Sequence, residues 1–167
     1  MCIVLTDQFH AHQFRKLVHV LAVVVKFTSM QTQEIENKLK SKDVKPTAMR
    51  ILVLQYFQGR TSATTLRQLE DHFDGSEMTT LYRTLKTFVN HNILHTIDDG
   101  TGIMKYAKCI EGCVCAPQDL HYHFHCLSCT ETICLTEQSI PSVQLPQNFT
   151  MTEANMVVKG HCSNCSN

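Results

Sequence analysis

Residues 76–107 read SEMTTLYRTLKTFVNHNILHTIDDGTGIMKYA, and this stretch decides the fold of the first half of the chain. Ser76 is placed to cap a helix in which apolar residues recur at helical spacing from 78 to 89. Strand-like runs over 93–97 and 103–107 follow, and the Asp-Gly pair between them is typical of a hairpin turn. The stretch therefore predicts an amphipathic helix followed by a β-hairpin.

Two further helices are predicted before this stretch. The first opens at Pro46, a residue suited to the first helical position, and ends at Gly59. The second is expected to be capped by Thr61 or Ser62, and it also repeats apolar residues at helical spacing. Three helices followed by a hairpin are the order of elements in a winged helix, which is a DNA-binding fold.

The helix over 78–89 carries the side chains best suited to contact DNA. Away from its apolar stripe it presents hydroxyl, aromatic and cationic groups, which bind phosphates and base edges. These residues are Thr79, Thr80, Tyr82, Arg83 and Lys86. A solvated helix face would look similar, so the interpretation depends on the neighbouring helices and hairpin.

The charge distribution also favours the first half as the DNA-binding part. Residues 30–108 hold 11 basic and 9 acidic side chains, whereas residues 109–167 hold 1 basic and 5 acidic ones. A polyanion is therefore expected to bind the first half. Because the excess of cations is small, two copies of the chain are expected to bind DNA together.

Eight of the nine cysteines follow residue 108, and most form closely spaced pairs near histidines. A secreted disulfide scaffold would leave these histidines without a role, so metal binding in a reducing compartment is favoured. Two C-x-x-C pairs can hold a tetrahedral zinc ion with four thiolates, and neither pair has the strand-helix context of a redox pair. The residues predicted to bind one structural zinc ion per subunit are Cys126, Cys129, Cys162 and Cys165.

A second metal site is predicted around His121 and His123, whose alternation on a strand places both imidazoles on one face. A pair of surface histidines is the alternative. His95 in the first hairpin strand and Cys109 after the second are nearby candidates, and a shared ion would join the two halves of the chain. Imidazole and thiolate ligands favour zinc over Fe(II) or Mn(II). Further candidates for this site or a third one are Cys113, Cys115 and Cys134.

These motifs together resemble the ferric uptake regulator family, and the zinc uptake regulators most closely. The resemblance rests on KPTAMR at 45–50, TSATTL at 61–66, TTLYRTL at 79–85, HYHFHCLSC at 121–129 and CSNC at 162–165. It implies an α+β chain, in which an N-terminal winged helix-turn-helix domain precedes a small α/β dimerisation domain with structural zinc. Zinc uptake regulators are similar in taking ligands from the wing and from the strand, which here implies His95, Cys109, His121 and His123.

The resemblance also implies a function. The chain is expected to be a cytoplasmic homodimer, not an enzyme, that represses metal homeostasis genes by binding a near-palindromic operator in double-stranded DNA when the hinge metal is bound. An iron- or peroxide-responsive regulator is the nearest alternative, but Arg60, Ala107 and Cys134 replace the histidine and carboxylates expected of one. A zinc store that does not bind DNA is a further alternative. A zinc hydrolase or deaminase would need a His-x-Glu motif, which these cysteines lack.

The first 29 residues have no counterpart in this resemblance. Their apolar run over 17–25 is too short to span a membrane, no cleavage site follows it, and Met30 is the expected start of the working protein. No association with a membrane is therefore expected. The predicted divisions are an extension over 1–29, a winged-helix domain over 30–108, a hinge loop over 109–119 and a metal-binding dimerisation domain over 120–167.

Overall fold

The computed structural model describes residues 30–110, 120–141, 143–151 and 154–166. The predicted extension and residues 111–119 of the predicted hinge, with Cys113 and Cys115, lie outside the described residues. No helix in the described ranges is both long enough and apolar enough to cross a membrane.

Residues 30–110, here called the N-terminal lobe, contain four helices and a three-stranded antiparallel sheet. The elements are α1 (30–41), α2 (Ala48–Gln58), β1 (Thr64–Thr65), α3 (Leu66–His72), α4 (Met78–Asn90), β2 (Leu94–Ile97) and β3 (Lys105–Lys108). The strand order is β1-β3-β2, so β1 pairs with the outer side of the hairpin formed by β2 and β3. The predicted order of three helices and a hairpin is confirmed, with α1 added before it.

The predicted helix caps are wrong. Thr65 caps α3 and forms a capping box with Gln68, since each side chain bonds to the other residue's backbone N–H. Ser62 instead forms a β-bridge with Ile133 of the second half. Likewise, α2 begins after Thr47 rather than at Pro46, and α4 begins after Glu77 rather than Ser76.

The helices of the N-terminal lobe enclose an apolar core of their own. From α4, Leu81, Leu85 and Phe88 are fully buried, as their helical spacing predicts. They pack with side chains of the other helices and of β2, including Leu39, Leu54, Phe57, Leu69 and Leu94. Because each fully buried side chain of this size contributes about 1.5–3 kcal/mol, the lobe has a substantial hydrophobic source of stability.

The remaining described residues, here called the C-terminal lobe, form a second three-stranded sheet. Its strands are β4 (His121–Cys126), β5 (Thr132–Ser139) and β6 (Val157–Gly160), in the order β5-β4-β6. The central strand β4 runs antiparallel to β5 and parallel to β6. Among the described residues of this lobe, Cys126 is the only apolar side chain that is buried, so the lobe has little hydrophobic core.

The two lobes contact each other through the hairpin and β5. The Ala63 N–H donates to the Thr132 carbonyl at 2.7 Å, next to the bridge between Ser62 and Ile133. Ala63, Ile97 and Ala107 form a small buried cluster at this junction, and Cys134 packs against it. The predicted metal ligands on β2 and β4 therefore lie where the lobes meet.

Candidate metal centres and nucleic-acid interface

The two C-x-x-C pairs lie together at one end of the C-terminal sheet. The Sγ atoms of the four cysteines all lie within 4.8 Å of one another. The sulfurs of Cys129 and Cys162 are 3.8 Å apart. Two thiolates on a tetrahedral zinc ion with Zn–S bonds of about 2.3 Å would be separated by about 3.8 Å, so the cluster has the size of a zinc site.

The parallel pairing of β4 and β6 explains why these distant pairs meet. Cys126, the last residue of β4, lies opposite Gly160, the last residue of β6. Cys129 lies in the turn that follows β4, and Cys162 and Cys165 both follow β6. The Cys162 N–H donates to the Cys126 sulfur at 3.4 Å. Ser128 and His161 add a 2.8 Å hydrogen bond between the two turns. Neighbouring strand ends thus bring four thiols to one place.

The pKa values of two of these thiols are shifted in opposite directions. Hydrogen bonds from the backbone N–H groups of Cys129 and then Cys162 lower the pKa of Cys126 to about 6. In contrast, the hydrogen bond with Cys162 and then burial raise the pKa of Cys165 to about 12. Four thiolates this close repel one another unless a divalent ion neutralises them, and metal binding would therefore release protons.

A second cluster joins the two lobes through His95, His121, His123 and Cys134. One donor atom from each residue lies within 4.8 Å of the other three. The Nε2 atoms of His95 and His123 are 3.2 Å apart, and the Cys134 sulfur is 3.6 Å from the same His95 nitrogen. For tetrahedral zinc with the usual bond lengths, these separations would be about 3.3 Å and about 3.6 Å.

The strand register accounts for this cluster. His123 on β4 lies directly opposite Cys134 on β5, and His121 lies two residues earlier on the same face of β4. His95 comes from β2 in the other lobe, and its ring centroid is 5.2 Å from that of His121. The cluster therefore exists only while the lobes are in contact.

Two imidazoles of this cluster, those of His95 and His123, are held in the neutral form that binds metals. Burial, and then the nearby His123 and His121, lower the pKa of His95 to about 3. Burial and then His121 lower the pKa of His123 to about 4. Burial raises the pKa of Cys134 to about 11. At neutral pH these two imidazoles present lone pairs, whereas the Cys134 thiol must lose a proton to act as a ligand.

Cys109 lies on the opposite side of the His95 ring. It is buried, and its sulfur is 3.7 Å from His95 Nδ1, whereas Cys134 and His123 are close to Nε2. The structure thus brings three of the four predicted ligands together with Cys134, and it places Cys109 behind His95. A signal for Cys134 was present in the sequence, since its strand follows the CxxC turn, but the pairing with His123 depends on the register.

The predicted DNA-contacting residues share the exposed face of α4. All five side chains are exposed, with Tyr82 at 47%. Within the described ranges, neither Arg83 nor Lys86 forms an ion pair with a carboxylate. Arg50, which no sequence pattern marked as a site residue, donates to the Lys45 carbonyl and lies 3.5 Å from the Thr87 hydroxyl of α4. This face can therefore contact a phosphate backbone and base edges.

Solved structures share this fold at low sequence identity. A zinc uptake regulator complexed with zinc and DNA is 15% identical, with 82% of this chain and 93% of that chain covered and a TM-score of 0.57. The ferric uptake regulator of Vibrio cholerae is 19% identical, with 76% and 98% covered and a TM-score of 0.52. That of Helicobacter pylori is 12% identical, with 83% and 93% covered and a TM-score of 0.52.

Sequence comparison identifies the family directly. No curated protein sequence is significantly similar to the chain. The profile of the ferric uptake regulator family, however, matches residues 41–161, which include α2 to α4, the hairpin and most of the C-terminal lobe. The chain belongs to the ferric uptake regulator family of metal-responsive transcriptional regulators.

Proposed function

We propose that this protein is a zinc-dependent repressor of the zinc uptake regulator type, which binds a near-palindromic operator as a cytoplasmic homodimer. The observation that carries the proposal is the cluster of three imidazoles and one thiol at the junction of the lobes. Soft thiolate and imidazole ligands favour zinc, whereas Fe(II) and Mn(II) sites use more oxygen ligands. The fold shared with a solved zinc uptake regulator supports DNA binding, whereas the choice of zinc rests on the ligand types.

The regulatory ligands in this proposal are His95, His121, His123 and a cysteine. The distances favour Cys134 as that cysteine, because its sulfur and His123 approach the same nitrogen of His95. Cys109 would then accept a hydrogen bond from the Nδ1–H of His95 and fix the orientation of the ring. A zinc ion held by these residues would supply a divalent charge without redox chemistry and would join the two lobes.

Control of DNA binding follows from where these residues lie. His95 belongs to the N-terminal lobe, while the other ligands belong to β4 and β5 of the C-terminal lobe. When the four side chains share one ion, the α4 face is held in a fixed position on the C-terminal lobe. In a homodimer this fixes the spacing between two α4 helices, which must match successive major grooves. Loss of the ion frees the lobes and relieves repression.

The proposed domain division agrees with this mechanism. Residues 30–108 form the DNA-binding domain and residues 120–167 form the dimerisation domain, with a second ion at Cys126, Cys129, Cys162 and Cys165 for structural support.

The C-terminal lobe exposes several large apolar side chains, which a second copy of the chain would cover. They include Val143, Leu145, Phe149, Met156 and Val158.

Metal-dependent DNA binding tests the proposal. Duplexes would be selected from a randomised pool with the zinc-loaded full chain, and affinity for the selected duplex would then be measured while a chelator removes the weaker-bound zinc. We expect affinity to fall by about 100-fold, which lies within the usual range of coupling between two ligands. Parallel titrations with Mn(II) and with anaerobic Fe(II) test the alternative metals. An affinity that stays constant while zinc is removed would contradict the proposal.

The pH dependence of zinc binding identifies the cysteine ligand. Because the Cys134 thiol is protonated up to a pKa of about 11, binding should release one proton, and zinc affinity should rise about tenfold per pH unit between pH 7 and 9. In Cys134→Asp this slope should flatten, since the carboxylate is already ionised. Cys109→Ser serves as the control and should keep the slope. The reverse result would assign the ligand to Cys109.

Arg83 is expected to contribute strongly to DNA affinity. Its exposed guanidinium on α4 can contact a base edge or a phosphate, and a well-placed contact contributes about 1–3 kcal/mol. Arg83→Ala should therefore weaken operator binding by at least tenfold per dimer without changing the zinc content. Arg60→Ala removes an equal charge outside α4, where the guanidinium lies over the Tyr56 ring. Equal losses in both variants, measured by fluorescence anisotropy, would argue against α4 as the recognition helix.

A further inference from the structure

The tip of the hairpin contains a carboxylate that is completely buried against the other lobe. The side chain of Asp99 has an exposed fraction of 0%, although it lies in a turn between β2 and β3. Its Oδ2 atom accepts a hydrogen bond from the Thr132 hydroxyl of β5 at 2.7 Å and lies 3.1 Å from His125 Nδ1 of β4. Its Oδ1 atom accepts a hydrogen bond from the Thr101 hydroxyl within the tip.

A buried lysine neutralises this carboxylate. Lys105, the first residue of β3, places its ammonium 2.8 Å from Asp99 Oδ2, and its side chain is 8% exposed. The ammonium also donates to the Thr130 carbonyl at 2.7 Å and to the Thr132 hydroxyl at 3.0 Å, both in the C-terminal lobe. All three donors of the ammonium therefore have a partner. Here Asp99, Lys105, His125 and Thr132 are called the polar clasp.

The polar clasp is stable only while the lobes are docked. Burial alone would raise the pKa of Asp99, but the Lys105 ammonium and then the Thr101 and Thr132 hydroxyls outweigh it and hold that pKa below its usual range. Separation of the lobes would remove the Thr132 hydroxyl from Asp99 and two acceptors from Lys105. Buried polar groups are costly when they lose partners, so the contacts specify one arrangement of hairpin and sheet.

The polar clasp and the lobe-junction metal cluster use the same strands. On β4, His123 belongs to the metal cluster and His125 to the polar clasp. On β5, Cys134 belongs to the metal cluster and Thr132 to the polar clasp. His123 lies opposite Cys134, and His125 lies opposite Thr132, two residues further along. The hairpin supplies His95 to one site and Asp99 to the other. A shift of the hairpin on the sheet would therefore disturb both sites.

We propose that Asp99 and Lys105 are positioning residues for the regulatory metal, because they dock the hairpin on the C-terminal sheet and thereby bring His95 to His121 and His123. This inference rests on the proposed regulatory site. Neither residue belongs to the metal cluster, so each acts through the position of His95.

The size of the effect follows from the fraction of molecules with docked lobes. The apparent dissociation constant for the metal equals its intrinsic value divided by that fraction. In the wild type, the polar clasp raises this fraction in the metal-free protein, and docking becomes complete only when the ion is bound. Loss of the Asp99 charge leaves the Lys105 ammonium buried without its counter-ion, which favours the undocked state. We expect Asp99→Asn to weaken zinc binding at the regulatory site by at least tenfold.

Competitive zinc titration of the full chain with a chromogenic chelator tests this inference. Asp99→Asn should keep the tight zinc ion of the four-cysteine site and bind the second ion at least tenfold more weakly. Asp98→Asn is the matched control, because Asp98 is exposed and, among the described residues, its carboxylate accepts a hydrogen bond from the Gly100 N–H within the tip. Unchanged second-site affinity in Asp99→Asn would overturn the inference. A wild type that binds one zinc ion would overturn the proposed function, and the positioning role with it.

Two additional measurements separate positioning from a general loss of stability. Thr132→Val keeps the shape of a clasp residue but removes the hydroxyl that bonds Asp99 and Lys105, so it should bind the second zinc more weakly than Asp98→Asn does. This comparison tests the inference even if Asp99→Asn folds poorly, and equal second-site affinity in the two variants would count against it. With the second zinc removed, the Ala63 amide, which donates to the Thr132 carbonyl, should exchange hydrogen faster in Asp99→Asn than in Asp98→Asn. Equal exchange of Ala63 in both variants would show that the clasp does not dock the lobes.

Discussion

Cys126→Ala is expected to unfold the C-terminal lobe. Cys126 is 1% exposed, ends the central strand β4 and receives the Cys162 N–H on its sulfur. The C-terminal lobe has little apolar core among its described residues, so the four-cysteine site has to supply most of its stability. Structural zinc contributes apparent binding free energies of about 10–16 kcal/mol in small zinc domains, and that energy is lost with the site.

Three measurements check this expectation. Metal analysis should show one zinc ion fewer per chain, circular dichroism should show a loss of β-structure, and sedimentation should show a monomer. Cys134→Ala is the control, since it removes a thiol from the same lobe but outside the four-cysteine site. That variant should keep the structural zinc and the dimer. A Cys126→Ala protein that remains a folded dimer would contradict a structural role for the site.

The N-terminal lobe should retain its structure in Cys126→Ala, because the two lobes are stabilised differently. Its core includes Phe57, Leu69, Leu81 and Phe88, and none of these side chains depends on a metal. The helical signal in circular dichroism should therefore persist while the β-signal is lost. The same difference explains why small domains often need a metal, whereas four packed helices do not.

The sequence predicted best those elements whose pattern is local. In α4 the buried residues Leu81, Leu85 and Phe88 follow the helical period, and the hairpin follows from the Asp-Gly pair in its turn. A strand at His121 and His123 was predicted from their alternation, and both residues lie on β4. The four-cysteine cluster was likewise predicted from spacing, since two C-x-x-C pairs can supply four thiolates to a tetrahedral ion.

The features that the sequence left undecided or missed depend on contacts between distant segments. Cys134 was one of several candidate cysteines, and the sequence did not decide among them. Cys134 joins the histidine cluster because β5 pairs with β4 in one particular register, which no local pattern encodes. Asp99 was interpreted as a turn residue, as a pair of aspartates before glycine usually is. Its burial results from docking of the tip on the other lobe, 33 residues away at Thr132.

The helix caps illustrate competition between local signals. Several hydroxyl residues precede α3, and any of them can cap a helix. Thr65 is the cap because Gln68 completes a reciprocal pair of hydrogen bonds and because β1 extends up to it by pairing with β3. The pairing of Thr65 with Lys105 could not be deduced from the helical pattern alone.

His123→Ala is expected to abolish zinc control of DNA binding while the protein remains folded. His123 lies on β4 of the C-terminal lobe, and its Nε2 atom is 3.2 Å from that of His95 in the N-terminal lobe. Without this imidazole, the junction loses a ligand and the direct contact between the lobes at that point. Operator affinity in zinc should fall by about 100-fold, which corresponds to about 2.7 kcal/mol.

The decisive comparison is with the wild type in chelator. If His123 acts only through the metal, the variant in zinc and the wild type without regulatory zinc should bind the operator equally weakly, and chelation should not weaken the variant further. His72→Ala provides the control, because this imidazole packs on Tyr56 within the N-terminal lobe and belongs to neither metal cluster. It should retain the full zinc response. A zinc response of normal size in His123→Ala would show that lobe closure is controlled elsewhere, because the cluster cannot bridge the lobes in the proposed way without this imidazole.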